Sequence, residues 1–145
     1  MLSRREFVAG AIGACLCTAC GQVPPTAQIE PTPVATAPLS SFPRDGIYDQ
    51  WVSQGFFIIR QGGRLYAPVA ICTHAQATLV EVGGQLKCPR HGGAFNTTGQ
   101  PVAGPPNRPL PRFGIRIEQD QVIVDRSMRF PQDLWSDPRS FLTAS

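Results

Sequence analysis

The chain has 145 residues, a formal net charge of +3 and 42% hydrophobic residues, which is enough for one small domain but not for two. Its basic residues form no cluster and are not interleaved with aromatic side chains, so the composition argues against a nucleic-acid-binding protein. Three of the five cysteines lie within the first twenty residues, and each of the two histidines lies within three residues of one of the other two cysteines.

Residues 1–20 have the layout of an export signal. Arg4 and Arg5 precede an apolar run of small residues that is short for a membrane-spanning helix, and the pair resembles a twin-arginine signal. The sequences ending at Cys15 and Cys20 each resemble the cleavage box of bacterial lipoproteins. We therefore expect export to the periplasm or the outer face of the cytoplasmic membrane, with acylation, a plain secretory signal and an uncleaved anchor left open.

Residues 21–43 are rich in Pro, Thr and Ala, and we interpret them as an extended linker. Residues 44–126 are the predicted folded domain. Residues 127–145 form a C-terminal tail without a clear secondary-structure pattern, which packs irregularly if its aromatic side chains reach the domain.

The predicted domain is all-β, because short apolar runs alternate with glycine turns. Residues 56–59 and 65–71 flank the turn Gln61–Arg64 and form a first hairpin that leads into Cys72. Residues 79–82 and 85–87 form a second hairpin that leads into Cys88. A third pair of strands, 115–117 and 122–124, is joined around Asp120.

The candidate metal ligands are Cys72 and His74, followed after thirteen residues by Cys88 and His91. Each half supplies one thiolate and one imidazole at the end of a strand. Thiolates suit ferric iron bridged by sulfide, and two neutral imidazoles in place of two thiolates remove two negative charges from the site. Reduction of such a cluster is easier, which raises its potential above that of all-thiolate ferredoxins. A zinc site is the alternative, although zinc fingers pair Cys with Cys and His with His along the chain.

The motif C-x-H…C-x-x-H, with Pro89 after the second Cys and Gly92 after the second His, resembles the signature of the Rieske family. The run from Gly99 to Pro106, followed by residues 110–113, resembles that family's proline-rich loop. Over about residues 44–125 the resemblance implies an antiparallel β sandwich or barrel with an inserted cluster-binding subdomain. It also implies one 2Fe–2S cluster, with the cysteines on an inner iron and the histidines on an outer iron at the tip.

The sequence departs from the Rieske subunits of cytochrome bc complexes at four positions. Ala77 and Arg90 stand where those subunits have a pair of disulfide-forming cysteines, so we expect packing and backbone hydrogen bonds alone to hold the loops. Gly93 and Phe95 stand where those subunits place Ser and Tyr hydroxyls against the cluster sulfurs. Hydrogen bonds to sulfur stabilise the reduced state, so their absence predicts a lower potential.

We expect a one-electron carrier or the small subunit of an oxidoreductase, without catalytic activity of its own, working with a donor and an acceptor that the sequence does not identify. Two alternatives are the quinol-oxidising subunit of a bc-type complex and the small subunit of a molybdenum enzyme such as arsenite oxidase. A catalytic Rieske oxygenase is excluded, because this chain has no further histidines to hold a mononuclear iron.

Overall fold

The computed structural model describes residues 29–144, and the predicted signal segment lies outside that range. Four short 3-10 turns are the only helical elements of the described range, and no helix there has the length and apolar character needed to cross a membrane. The strands are β1 (Pro33–Pro38), β2 (Gly46–Tyr48), β3 (Ile58–Gln61), β4 (Arg64–Pro68), β5 (Val80–Val82), β6 (Gln85–Lys87), β7 (Ala94–Phe95), β8 (Pro101–Ala103), β9 (Arg112–Glu118), β10 (Gln121–Phe130) and β11 (Leu142–Thr143).

The strands form two antiparallel sheets. The larger sheet has the order β1-β10-β9-β4-β3-β2, with β11 also paired to β4, and the smaller sheet has the order β5-β6-β7-β8. The smaller sheet lies in the sequence between β4 and β9, which are neighbours in the larger sheet. The predicted all-β fold with an inserted subdomain is therefore confirmed.

The three hairpins predicted from the sequence are present as β3–β4, β5–β6 and β9–β10. Glycine pairs close the first two: Gly62 and Gly63 have φ of 58° and 74°, and Gly83 and Gly84 have φ of 60° and 81°. Two consecutive positive φ angles match the twist of a two-residue hairpin turn and are costly for other residues. These pairs fix the register of the two strands that lead to the candidate ligands.

Strand alternation in β3 and β4 divides the buried side chains between two cores. Phe56, Ile58 and Leu65 belong to the core of the larger sheet, which also contains Phe113. Their neighbours on the opposite face, including Phe57, Ile59 and Tyr66, pack into a second core with residues of the inserted subdomain. Because side chains alternate between faces, this one hairpin supports both halves of the domain.

The predicted linker ends earlier than its expected boundary at residue 43. Residues 33–38 form β1, which pairs with β10 from Pro33↔Asp125 to Pro38↔Gln121. The Arg126 guanidinium donates to Thr32 at 2.8 Å (carbonyl oxygen) and 2.6 Å (Oγ1), and this fixes the start of the strand. The folded domain therefore begins about ten residues before the predicted start at residue 44. The prolines of residues 33–38 are compatible with a strand because β1 lies at the edge of the sheet.

The C-terminal tail is also more regular than the sequence suggested. Strand β10 continues to Phe130, beyond the predicted domain end at residue 126, and β11 pairs with β4 through Leu142↔Leu65. The segment between them contains two 3-10 turns, and the second is capped by the Asp137 side chain. The tail is thus part of the folded domain.

Candidate metal centre

The first candidate loop begins where the chain leaves β4. Its neck is closed by an isolated bridge between Ile71 and Thr78 and by the Cys72 N–H, which donates to the Ala77 carbonyl at 2.8 Å. The Cys72 carbonyl in turn accepts from the Gln76 N–H at 3.1 Å. Gln76 has φ of 55°, an uncommon value for a residue with a side chain, so the loop is a tight turn held by its own backbone.

The second loop repeats this arrangement between β6 and β7. The Cys88 N–H donates to the Gly93 carbonyl at 2.7 Å, and Lys87 pairs with Ala94 at the neck. In both loops the cysteine amide bonds to the carbonyl five residues further on. Each cysteine is therefore fixed at the base of its loop, while the histidine lies at the turn above it.

The structure brings all four predicted ligands to the same end of the domain. Cys72 and Cys88 are 1% and 4% exposed, belong to one buried core and form no disulfide. His74 and His91 are exposed, and their ring centroids lie 5.4 Å apart with the ring planes at 88°. The thiols thus lie below and the imidazoles above, at the solvent surface.

Two pairs of ligands suit a two-iron cluster. Each iron of such a cluster takes two protein ligands and shares the bridging sulfides, so a buried thiol pair and an exposed imidazole pair supply the full set. Within residues 29–144 no three Cys, His, Asp or Glu side chains lie close enough together to hold a single metal ion. A 2Fe–2S cluster does not require such a group, because each of its irons takes only two protein ligands. The residues present fit the group.

A third segment, residues 99–111, covers both loops. The Thr73 hydroxyl donates to the Arg108 carbonyl at 2.9 Å, which ties this segment to the first loop. At the second loop, a Cβ placed on Gly93 would lie 2.7 Å from Cγ of Pro106, and one placed on Gly104 would lie 2.7 Å from Cα of Gly93. The segment that resembles the family's proline-rich loop therefore packs against both ligand loops, and the Thr73 side chain adds a hydrogen bond to the backbone bonds expected from the sequence.

A buried arginine joins the inserted subdomain to the larger sheet. Arg112, 8% exposed, lies between two aromatic rings, 3.9 Å from the Tyr66 ring centroid and 4.1 Å from that of Trp135. Its Nη2 donates to the Thr98 carbonyl at 3.2 Å, whereas its Nε has no hydrogen-bond partner within the described residues. Burial lowers the pKa of Arg112 to about 10, so the side chain is cationic at neutral pH.

Sequence reasoning missed this arginine because its partners are distant along the chain. Tyr66 lies in β4 and Trp135 in the C-terminal tail, and no sequence pattern links them to Arg112. Burial also raises the pKa of Tyr66, whose hydroxyl lies 2.7 Å from the Thr97 carbonyl. Phe95 and Phe113 are both fully buried, Phe95 in the core that contains the cysteines and Phe113 in the core of the larger sheet.

The sequence model of the Rieske 2Fe–2S domain matches residues 32–114. The cytochrome b6-f complex iron-sulfur subunit of Chlorobaculum thiosulfatiphilum is 31% identical over 110 residues, which cover 72% of this chain and 60% of that subunit. Ferredoxin CarAc of Metapseudomonas resinovorans is 39% identical over 71 residues, covering 46% of this chain and 66% of the ferredoxin. The chain thus spans about 60% of the length of the two Chlorobaculum b6-f subunits that it matches.

Among solved structures, the complex of reduced oxygenase and oxidized ferredoxin in carbazole 1,9a-dioxygenase contains a chain that is 27% identical, with a TM-score of 0.48; the match covers 69% of this chain and 97% of that one. The plasma membrane Rieske protein PetC3 of Synechocystis PCC 6803 is 22% identical with a TM-score of 0.49, and the match covers 63% of this chain and 97% of PetC3.

The match to more than half of the chain defines the class: this is a Rieske protein, and the chain belongs to the Rieske 2Fe–2S family. One 2Fe–2S cluster is therefore the cofactor of this chain.

Proposed function

We propose that Cys72 and Cys88 hold one iron of the cluster and that His74 and His91 hold the other, so that the protein passes single electrons through its histidine-bearing tip. The observation that carries this proposal is the pair of exposed imidazoles, 5.4 Å apart, above two buried free thiols. When bound, the cluster supplies a reversible one-electron couple. The protein supplies the rest: the loop necks fix the cysteines, and residues 99–111 exclude water from the side of the second loop.

The ligand assignment is tested with four single variants of the full chain, Cys72→Ser, Cys88→Ser, His74→Ala and His91→Ala, purified without oxygen. We expect each variant to lose most of its iron and acid-labile sulfide. The reduced wild type should show hyperfine coupling to two histidine nitrogens. A triple variant in which Cys15, Cys17 and Cys20 become Ser is the control and should keep a full cluster. Full cluster content in any of the four ligand variants would contradict the assignment.

We further propose that the protein works outside the cytoplasm, tethered or free, as an electron carrier or the small subunit of an oxidoreductase. The support is the signal-like sequence of residues 1–20, with its Arg pair and with Cys15 and Cys20 as acylation candidates. Mass spectrometry of the mature N-terminus tests this proposal. An acylated Cys15 or Cys20 supports a tethered carrier, a cleaved and unmodified N-terminus supports a periplasmic one, and an intact protein in the cytosolic fraction contradicts export.

A quinol-oxidising role is the second candidate, because the cytochrome b6-f iron-sulfur subunit of Chlorobaculum thiosulfatiphilum aligns over 72% of this chain. Extraction of membranes in mild detergent, followed by purification through a tag on this chain, separates the possibilities. Co-purification of a cytochrome b supports quinol oxidation, and a large molybdenum-containing protein supports a role as an enzyme's small subunit. Purification without a partner supports a stand-alone carrier.

A further inference from the structure

Exposed basic residues lie in and beside the two loops that carry His74 and His91, which form the tip of the domain. Arg90 directly precedes His91 in the second loop, and Lys87 directly precedes Cys88; both side chains are exposed. Arg108 is also exposed, and the hydrogen bond from Thr73 Oγ1 to its carbonyl places it beside the first loop. Two separate segments thus bring Arg90 and Arg108 to the two histidine loops, whereas Lys87 lies at the neck of the second loop, where it pairs with Ala94.

A fourth cation comes from the larger sheet. Arg129 of β10 is exposed and, together with Cys72, Thr73 and Gln76, lines a cavity of about 440 Å³ beside the first loop. The fold therefore gathers positive charge from β10, the second loop and the covering segment at one end of the molecule. Their distance along the chain explains why the sequence shows no basic cluster.

These charges are not neutralised by neighbouring carboxylates. Within residues 29–144 the ion pairs are formed by Arg60, Arg116 and Arg139, and by none of these four cations. The sequence from Cys72 to Pro111 contains one acid, Glu81. Its carboxylate accepts from the Gly84 N–H at 2.7 Å, at the turn of the β5–β6 hairpin.

From this charge distribution we propose that the tip docks against an acidic surface of the redox partner protein, with Arg90 and Arg108 as the principal contacts. This inference rests on the proposed function, because the tip is the docking face only if the histidines carry the outer iron. Exposed charges at the rim of an interface act mainly by steering the encounter, and their effect extends over about one Debye length, roughly 10 Å at 0.1 M salt.

A protein partner is favoured over an anionic membrane surface. Segments that lie in a membrane interface combine basic residues with large apolar side chains such as Trp, Phe and Leu. The large apolar side chains that are exposed within residues 29–144 are Val80, Val82, Val102, Ile117 and Leu134, and none of them lies in either histidine loop. Val102 lies in the covering segment, but neither that segment nor the two histidine loops exposes a Trp, Phe or Leu side chain.

The experiment measures oxidation of the reduced holoprotein by two small reagents of opposite charge, ferricyanide and the tris(phenanthroline)cobalt(III) cation, at increasing ionic strength. The ferricyanide rate should fall with salt, and the cobalt rate should rise. At low salt the variant R90E/R108E should lower the ratio of the ferricyanide rate to the cobalt rate at least tenfold. Both reagents oxidise a given variant at the same cluster potential. A change in that potential therefore largely cancels from the ratio of the ferricyanide rate to the cobalt rate.

The matched control is R44E/R64E, which changes the net charge by the same amount. Arg64 begins β4, and the Gly62 N–H donates to Asp45 at 3.1 Å, which places Arg44 at the same hairpin turn. Cys72 lies eight residues further along the chain, roughly 25 Å away if that segment is extended. The control should change the rate ratio less than twofold.

A second readout does not involve electron transfer. The redox-inert hexacyanocobaltate(III) anion should bind the wild type and the control, and its binding to R90E/R108E, measured by calorimetry, should be at least tenfold weaker. Equal rate ratios and equal anion binding in the two double variants would overturn the docking proposal.

Two further measurements separate the ways in which the proposal can fail. Iron, acid-labile sulfide and histidine hyperfine coupling are measured on every sample, so loss of the cluster in the wild type would be a failure of the proposed function instead. Co-sedimentation with phosphatidylglycerol-containing vesicles is compared between the wild type and R90E/R108E. If the double variant loses vesicle binding while its rate ratio is unchanged, the tip binds membranes and the protein-docking proposal is wrong.

Discussion

Gly93 of the second loop and Gly104 of the covering segment touch backbone to backbone. A Cβ on Gly104 would lie 2.7 Å from Cα of Gly93 and 2.9 Å from the carbonyl oxygen of Gly92, closer than real Cβ contacts come. The absence of a side chain at both positions lets the covering segment lie directly on the loop that carries Cys88 and His91. This contact is a means of holding the loops in a protein without the interloop disulfide of the bc-type subunits.

The first prediction concerns Gly104→Ala. Gly104 has φ of 74°, so alanine introduces backbone strain of roughly 1 kcal/mol as well as the clash with Gly93. The covering segment should lift, and the cluster should be lost faster, which is measured as bleaching of the visible absorption at fixed temperature in air. Gly84→Ala is the control, because Gly84 has φ of 81° but no atom within 4 Å of the added Cβ. Equal bleaching rates in the two variants would show that the Gly93 contact is unimportant.

The second prediction concerns hydrogen bonding to the cluster at Phe95. This side chain is fully buried in the core that contains both cysteines. Phe95→Tyr should raise the midpoint potential in protein-film voltammetry, because a hydroxyl facing the cluster would stabilise the reduced state. Phe113→Tyr buries a hydroxyl in the other core and should leave the potential unchanged. No difference between the two variants would mean that Phe95 does not face the cluster.

The corresponding change at Gly93 needs a compensating substitution. A Cβ there would meet Cγ and Cδ of Pro106 at 2.7 and 2.9 Å, so Gly93→Ser alone should displace the covering segment and reduce cluster occupancy. The double variant G93S/P106G removes the obstructing ring and should regain occupancy with a higher potential than the wild type. Full occupancy in the single variant would contradict the close contact.

The third prediction is the potential of the wild-type protein. Neither Gly93 nor Phe95 can donate a side-chain hydrogen bond. Ala77 and Arg90 stand where the bc-type subunits have the two cysteines of the interloop disulfide, so that disulfide is missing here. Together these residues place the expected midpoint potential in the lower part of the Rieske range, which extends from about −150 to +300 mV. A cation such as Arg90 favours the reduced state and limits how low the potential falls. A measured value near the top of the range would contradict the argument.

The fourth prediction concerns the buried arginine. Arg112→Ala removes two cation–π contacts and leaves a space between Tyr66 and Trp135, so it should lower the free energy of unfolding by roughly 2–4 kcal/mol. Arg112→Lys should restore only part of this loss, because an ammonium group does not stack as a planar guanidinium does. Thermal unfolding, followed by circular dichroism under argon, measures both effects.

Arg64→Ala provides the comparison for this substitution. Arg64 lies 4.4 Å from the ring centroid of Phe141, but it is exposed, so its loss should cost about 0.5–1 kcal/mol. If Arg112→Ala destabilises the protein no more than Arg64→Ala does, then the buried stack does not join the C-terminal tail to the domain.

The sequence by itself determined the family and the local structure around the candidate site. Glycine pairs at residues 62–63 and 83–84 specify two-residue hairpins, and alternating apolar residues specify which faces are buried. The second strands of these hairpins lead into the loops that begin at Cys72 and Cys88. These features depend on residues that are close along the chain, and for that reason they could be predicted without coordinates.

Only the tertiary structure decided that the segments at both ends of the domain fold as strands of the larger sheet. The proline-rich segment at residues 33–38 carries too little apolar surface to predict a strand, and it becomes one because β10 offers hydrogen-bonding groups to a sheet edge. The tail is ordered through Trp135 on Arg112 and through β11 on β4. The cations around the histidines likewise come together only on folding. Each of these features joins residues that are distant in sequence, and local composition carries no information about such pairings.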